Sequence, residues 1–119
     1  EQIDIDGMPV QIIDTAGLRE TTDAVERIGI DRSWAMVQKA DLALLVCDAR
    51  EADDAAVQAI VGRLPPDLPR VRIYNKIDLA GQPPRRERCA EEEQIWLSAK
   101  TGAGLELLKK TIWDQAGWQ

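Results

Sequence analysis

Short apolar runs, each closed by polar or small residues, recur along this chain and limit what it can become. Val10, Ile12 and Ile13 precede Asp14, residues 42–47 precede Asp48, residues 71–74 precede Asn75, and residues 95–97 precede Ser98. The run Leu-Ala-Leu-Leu-Val-Cys at 42–47 has no polar break, as a strand covered on both faces requires. Ile3 and Ile5 sit across Asp6-Gly7 from Val10, and Asp-Gly supplies the positive φ angles of a tight hairpin, so strands are expected at about 2–6 and 9–13. Val25, Ile28, Ile30, Trp34, Val37 and Ala40 recur at three- and four-residue steps, which predicts a helix over about 26–39. A second helix over about 53–64 is stopped by Pro65-Pro66, and a last one follows Gly104 with Leu105, Leu108 and Ile112 on one face. The Gly-, Pro-, Arg- and Glu-rich stretch 80–93 is expected to be a solvated excursion. Strand and helix alternating in this way predict an α/β fold, a mostly parallel sheet with helices on both faces, whose ligands bind beyond the carboxyl ends of the strands.

Composition narrows the function classes. The 119 residues, 45% of them hydrophobic, suffice for one packed domain, and no window approaches the ~20 apolar residues of a membrane span. Fifteen basic against 21 acidic side chains give a net charge of −6, which argues against holding a polyanion by bulk charge. With no histidine and two cysteines far apart, Cys47 and Cys89, zinc-finger spacing and Ser-His-Asp catalysis are excluded, and a reducing cytoplasm fits best. Cys47 is expected to be a buried thiol and Cys89 a surface one. The four tryptophans are expected to pack in the core or against helices, and Glu91-Glu92-Glu93 to form a solvated face. No internal repeat is present.

The chemistry lies at the strand ends. Asn75-Lys76-Ile77-Asp78 specifies three residues as Asn-Lys-x-Asp, a pattern expected by chance in about 1% of chains this long. One carboxylate can accept both N–H donors of a planar heterocycle, and guanine presents such an edge at N1 and N2, which suits Asp78. Asn75 would tie neighbouring loops together, and the aliphatic stem of Lys76 would lie along the ring. The same residues also suit a plain strand end and turn. Asp14-Thr15-Ala16-Gly17 follows a buried-type run and precedes a long loop, unlike the other Asp-x-x-Gly matches beginning at Asp4, Asp78 and Asp114. Asp14 is suited to holding Mg²⁺ through a water, and Gly17 to bringing its N–H against a terminal phosphate, although a turn glycine is the simpler account of it. Ser98-Ala99-Lys100 is small enough for its backbone N–H groups to approach a base oxygen.

Taken in this order, the three motifs resemble the third, fourth and fifth motifs of a P-loop (Ras-like) GTPase G domain of the translation-factor-related class. The stretch 7–21, continued by Val25-Glu26-Arg27-Ile28-Gly29-Ile30, is most similar to the MnmE/TrmE family of tRNA-modification GTPases. The resemblance implies that Asp14, Thr15, Ala16, Gly17, Asn75, Lys76, Ile77, Asp78, Ser98, Ala99 and Lys100 bind GTP or GDP. Leu18 stands where Ras-like relatives place a water-orienting glutamine, and the resemblance implies that Glu26 takes that role, with Glu20 as the other candidate. Arg19 is then suited to reporting loss of the γ-phosphate to a partner surface. An acid in a first helical turn is also favoured by the helix dipole alone. The family further implies K⁺, bound by residues outside this chain, homodimerisation through paired G domains, and work with the flavoprotein MnmG on the wobble uridine of tRNA. No membrane partner is implied.

The family's Gly-x-x-x-x-Gly-Lys-Ser/Thr loop is absent from the 119 residues, so the chain is expected to be a partial G domain that binds GTP poorly by itself. The first strand of that fold lies between the strands placed at 9–13 and 42–47. Two apolar edges are therefore expected to stand unpaired, and the polypeptide alone is expected to aggregate, swap strands or need the missing unit. Two other functions stand as alternatives: a ribosome-assembly GTPase of the Era or Der type, which the stretch 18–30 disfavours, and a non-hydrolysing interaction module on a degenerate G-domain scaffold, which the missing phosphate loop would permit.

Overall fold

The computed structural model describes residues 2–5, 8–14, 24–51, 55–89 and 92–116. Strands β1 (Gln2–Ile5) and β2 (Met8–Asp14) are followed by helix α1 (Ala24–Val37), strand β3 (Leu42–Asp48) and a 3₁₀ turn at Ala49–Glu51. Then come α2 (Ala55–Arg63), β4 (Arg70–Asn75), the single-turn α3 (Ile77–Ala80), β5 (Arg85–Cys89), β6 (Glu92–Trp96) and α4 (Leu105–Ala116). The six strands form one sheet in the order β1-β2-β3-β4-β6-β5, in which β2, β3, β4 and β6 run parallel. The two outer strands, β1 and β5, are antiparallel to their neighbours.

Helices cover both faces, as the unbroken run in β3 requires. On one face Trp34 and Val37 of α1 and Ile60 of α2 meet Ile13, Ala43 and Leu45. On the other, Ile112 of α4 meets Val10, Leu42, Leu44, Val71, Ile73 and Ile95. Alternate residues of β3 therefore feed opposite cores, and Leu42, Ala43 and Leu45 have no exposed surface. A third cluster of Cys47, Ala49, Tyr74, Ile77 and Trp96 lies beneath the carboxyl ends of the strands, with the Tyr74 and Trp96 rings stacked at 4.7 Å.

Three expectations are corrected. The strands at 9–13 and 42–47 do not present open edges to each other. They pair directly in parallel, from Val10 opposite Leu42 to Asp14 opposite Val46. An interior row of unpaired N–H and C=O groups is costly, and α1 is a long enough crossover to bring the two strands side by side. The stretch 80–93 is not wholly a solvated excursion, because β5 pairs with β6 along its length. Its arginines blunt the outer edge of the sheet while still allowing a ladder. Glu92 and Glu93 of the acidic run do not form a solvated face either, and Glu91 lies outside the described residues. Glu93 is buried against Arg86 at 3.2 Å, and Glu92 meets the buried Arg72 at 2.7 Å. Among the tryptophans, Trp34 and Trp96 are core residues, Trp113 is half exposed, and Trp118 lies outside the described residues. Cys47 is buried as expected, whereas the side chain of Cys89 is outside the described residues.

Gly104 fixes the join between β6 and α4. Its φ is +85°, and a Cβ there would lie 2.8 Å from the Trp96 carbonyl oxygen and 3.0 Å from Leu97 Cβ. Gly104→Ala should therefore cost about 2 kcal/mol or more. Gly62→Ala, in the last turn of α2 with nothing within 4 Å, should be stabilising by up to about 0.5 kcal/mol. Urea midpoints of the two variants should move in opposite directions.

Candidate functional site

The parallel register sets the ends of β3, β4 and β6 side by side: Asp48 is opposite Asn75, and Tyr74 is opposite Trp96. Two further backbone bonds carry the β4–β6 contact past the strand ends, Leu97 N–H to Tyr74 O at 3.0 Å and Ile77 N–H to Leu97 O at 3.3 Å. The loops after β4 and β6 are thereby locked together.

Asn75 completes that lock. Its Oδ1 accepts from Lys76 N at 2.8 Å and from Ala99 N at 3.0 Å. Lys76 then turns the chain with φ 67° and ψ 35°, a left-handed conformation unusual for a residue with a side chain. Its carbonyl accepts from Leu79 N at 3.0 Å and Ala80 N at 3.2 Å, which closes the α3 turn. Ile77 is buried in the cluster beneath the rim, so its side chain seats this turn. Asp78 faces outward, and its Oδ1 accepts from the Ser98 hydroxyl at 3.0 Å. The same Ser98 oxygen accepts from Thr101 N at 3.1 Å, while the Ser98 carbonyl accepts from Gly102 N at 2.9 Å. Ala99 and Lys100 are exposed at the crest of this second loop.

The expected base-side residues are thus gathered in one place, and every contact among them is short and directed. The hydroxyl of Ser98 had not been foreseen as an orienting group for Asp78, because a strand-to-loop serine carries no such signal in sequence. Asp14 ends β2 one strand beyond β3, but its side chain and all of Thr15, Ala16 and Gly17 lie outside the described residues. Glu26 falls in the first turn of α1, and its side chain is likewise outside them. Among the described residues there is no group of three or more Asp, Glu or Cys side chains that could hold a metal, and no helix is long and apolar enough to cross a membrane.

Asp48 joins the rim beside these loops. Arg50 grips it three times, with its backbone N at 2.9 Å and Nε at 3.0 Å from Oδ1, and Nη2 at 2.6 Å from Oδ2. Lys76 Nζ lies 3.8 Å from the same Oδ2. The side-chain and backbone hydrogen bonds from Arg50, with Lys76 behind them, hold the Asp48 carboxyl well below the usual carboxylate range.

The chain is similar to known GTPases. The family model described as "50S ribosome-binding GTPase" matches residues 1–76. The tRNA modification GTPase MnmE of Laribacter hongkongensis is 50% identical over 119 residues, all of this chain and 26% of that protein. The MnmE of Chromobacterium violaceum is 50% identical over 118 residues, 99% of the chain and 26% of its own length. That of Neisseria meningitidis serogroup B is 51% identical over 119 residues, all of the chain and 27% of that protein. The chain spans about a quarter of the length of these relatives.

A depressed folded-state pKa makes the Asp48 contribution to stability complete above the unfolded carboxyl value near ~3.9, and the contribution fades as pH falls below it. Asp48→Asn removes that dependence. Its urea midpoint should fall less steeply than the parent's between about pH 5 and pH 2, with the two curves converging at the acid end.

Proposed function

Because this chain belongs to the 50S ribosome-binding GTPase family, we propose that it supplies the guanine-reading part of a GTP-hydrolysing domain of the MnmE type, serving modification of the tRNA wobble uridine. The fold is that of a P-loop GTPase, an α/β domain with a mostly parallel sheet. The observation that carries the reading is the Asp78 carboxylate, exposed at the rim and oriented by the Ser98 hydroxyl at 3.0 Å.

A hydroxyl donor fixes the carboxylate and leaves its remaining lone pairs for the paired N1–H and N2–H of guanine. Adenine offers no such pair of donors, and a site built on hydrogen bonds of this kind rejects the misfit by a factor of about 10⁴. Asn75 keeps the two base-side loops in register, and the Lys76 stem lines the ring plane. Ala99 N–H is already engaged by Asn75 Oδ1, so the guanine O6 must either be met elsewhere in the loop or draw that donor away. On the phosphate side, Asp14 at the end of β2 is one carboxylate and suits Mg²⁺ held through water, an ion that keeps much of its hydration and takes oxygens from the nucleotide. Thr15, Ala16 and Gly17, next in sequence, are assigned to the phosphates in this reading. Glu26, at the start of α1, would orient the attacking water, with positioning and charge stabilisation carrying the hydrolysis.

The 119 residues are in this reading a partial G domain, with the phosphate loop and the K⁺ ligands supplied by residues outside them. Action on tRNA is supported by relatives named tRNA modification GTPase at about half identity; pairing of two G domains, cooperation with MnmG and a cytoplasmic setting are further parts of the same proposal.

Two substitutions in the complete protein, phosphate loop included, test it. Asp78→Ala should lower GDP affinity by about 3 kcal/mol, near 100-fold, and abolish the preference over ADP, because charge-assisted bonds to the base are lost. A wild-type protein that binds ADP as tightly as GDP would refute the guanine assignment. Glu26→Gln should leave GTP affinity near the parent's while turnover falls by about 10²-fold or more, and undiminished turnover removes Glu26 from the mechanism.

A further inference from the structure

We propose that Asp48 is a positioning residue of the guanine site, one that acts through Lys76: its carboxylate tethers the lysine ammonium so that the aliphatic stem forms a fixed wall beside the base. The inference rests on the guanine reading above and adds to it a residue from a different strand.

Three observations converge. Asp48 is the register partner of Asn75, so its carboxylate stands at the height of the base-reading loop, one strand away. The carboxylate is itself immobilised, since Arg50 holds both of its oxygens and only 18% of the side chain is exposed. Lys76 leaves a backbone that is also immobilised, bonded through its N–H to Asn75 and through its carbonyl to Leu79 and Ala80. A lysine fixed at Cα and drawn at Nζ toward a carboxylate 3.8 Å away keeps few of its rotamers, although 52% of it is exposed.

The energetic argument concerns preorganisation. A lysine free in solvent loses rotamer entropy when it is ordered against a ligand, whereas one already tethered loses less. An isolated surface pair contributes little to folding, so stability alone gives little reason for the Lys76 contact. Arg50 by itself satisfies Asp48. What the Lys76 contact adds is direction to a side chain that borders the candidate base site.

The test is a double-mutant cycle in the complete protein, phosphate loop included, with GDP as probe and affinity measured by calorimetry. Lys76→Met keeps the apolar stem and removes the ammonium. Asp48→Asn and Lys76→Met should each weaken GDP binding by about 3- to 10-fold, and the double variant should be no weaker than Lys76→Met alone. Asp48→Glu, which keeps the charge, should bind GDP within about 3-fold of the parent and serves as the second variant if Asp48→Asn lowers the melting midpoint. Unchanged affinity in Asp48→Asn, effects of the two substitutions that add in full, or no rescue in a folded Asp48→Glu would overturn the proposal while leaving the guanine site standing. Failure of the guanine reading has a different signature, a parent protein with no preference for GDP over ADP, and the proposal falls with it.

Discussion

The hydrogen bond from Ala99 N–H to Asn75 Oδ1 is the constraint on which the rim depends. It joins loops from two strands that are neighbours in space but separated by β5 in the chain. The bond can form only because β4 and β6 are parallel and in a register that ends Tyr74 opposite Trp96. A one-residue slip of β6 would exchange its faces, turning Ile95 away from the α4 core and Trp96 away from Tyr74. The stacked pair of rings, with the Arg85 guanidinium 3.9 Å above Trp96, therefore guards the register from below, and Asn75 reports it above. Site geometry and core packing are two consequences of the same strand alignment.

The charged groups near β5 and β6 serve that alignment too. Arg86 reaches Glu93 across the strand pair at 3.2 Å and Asp114 of α4 at 3.0 Å, tying the edge of the sheet to its covering helix. On the opposite face Arg72 lies between Glu92 and the Tyr74 hydroxyl. Glu93 and Arg72, nearly removed from solvent, would each be costly alone and are tolerated because each has a partner. Three successive glutamates suggest a wet face, because sequence shows their charge but not the arginines that reach Glu92 and Glu93 from β4 and β5. That is why the acidic run and β5 were misjudged together. An Arg-rich stretch reads as solvent-facing until its antiparallel partner is known.

Other parts of the molecule could be read from the residues alone. The four parallel strands, three of the helices and the Asn75 and Ser98 loops follow from local signals: unbroken apolar runs, three- and four-residue periodicity, and polar residues at run ends. The direct pairing of β2 with β3 does not follow from them. Both strands are apolar, and periodicity says that each needs a neighbour without saying which. Asp48 is visible as a strand-end acid, yet its contacts depend on Arg50 two residues later, which no motif contains, and on Lys76, whose Asn-Lys-x-Asp motif says nothing of a partner at the end of β3. Thr101 is similarly silent, because its work is to shape the return from the Ser98 loop into α4. Sequence patterns register what each strand carries to the rim, and miss contacts made between strands.

The two carboxylates at the base end of the rim have opposite electrostatic assignments, and the difference bears on which of them can meet a ligand. Asp48 is neutralised, with a guanidinium on both oxygens and an ammonium nearby, so its charge is spent on structure. Asp78 is oriented by a hydroxyl, and among the described residues no cation is paired with it. A neutral donor can fix a rotamer without cancelling the charge, and the remaining lone pairs keep their capacity to accept. Had Lys76 paired with Asp78 instead, the wall and the acceptor would have consumed each other, and a guanine edge would have had to break an ion pair before making its own bonds. In the proposed arrangement Asp48 draws Lys76 toward itself and leaves the Asp78 acceptor to a ligand, so the specificity of one acid would rest on the occupation of the other.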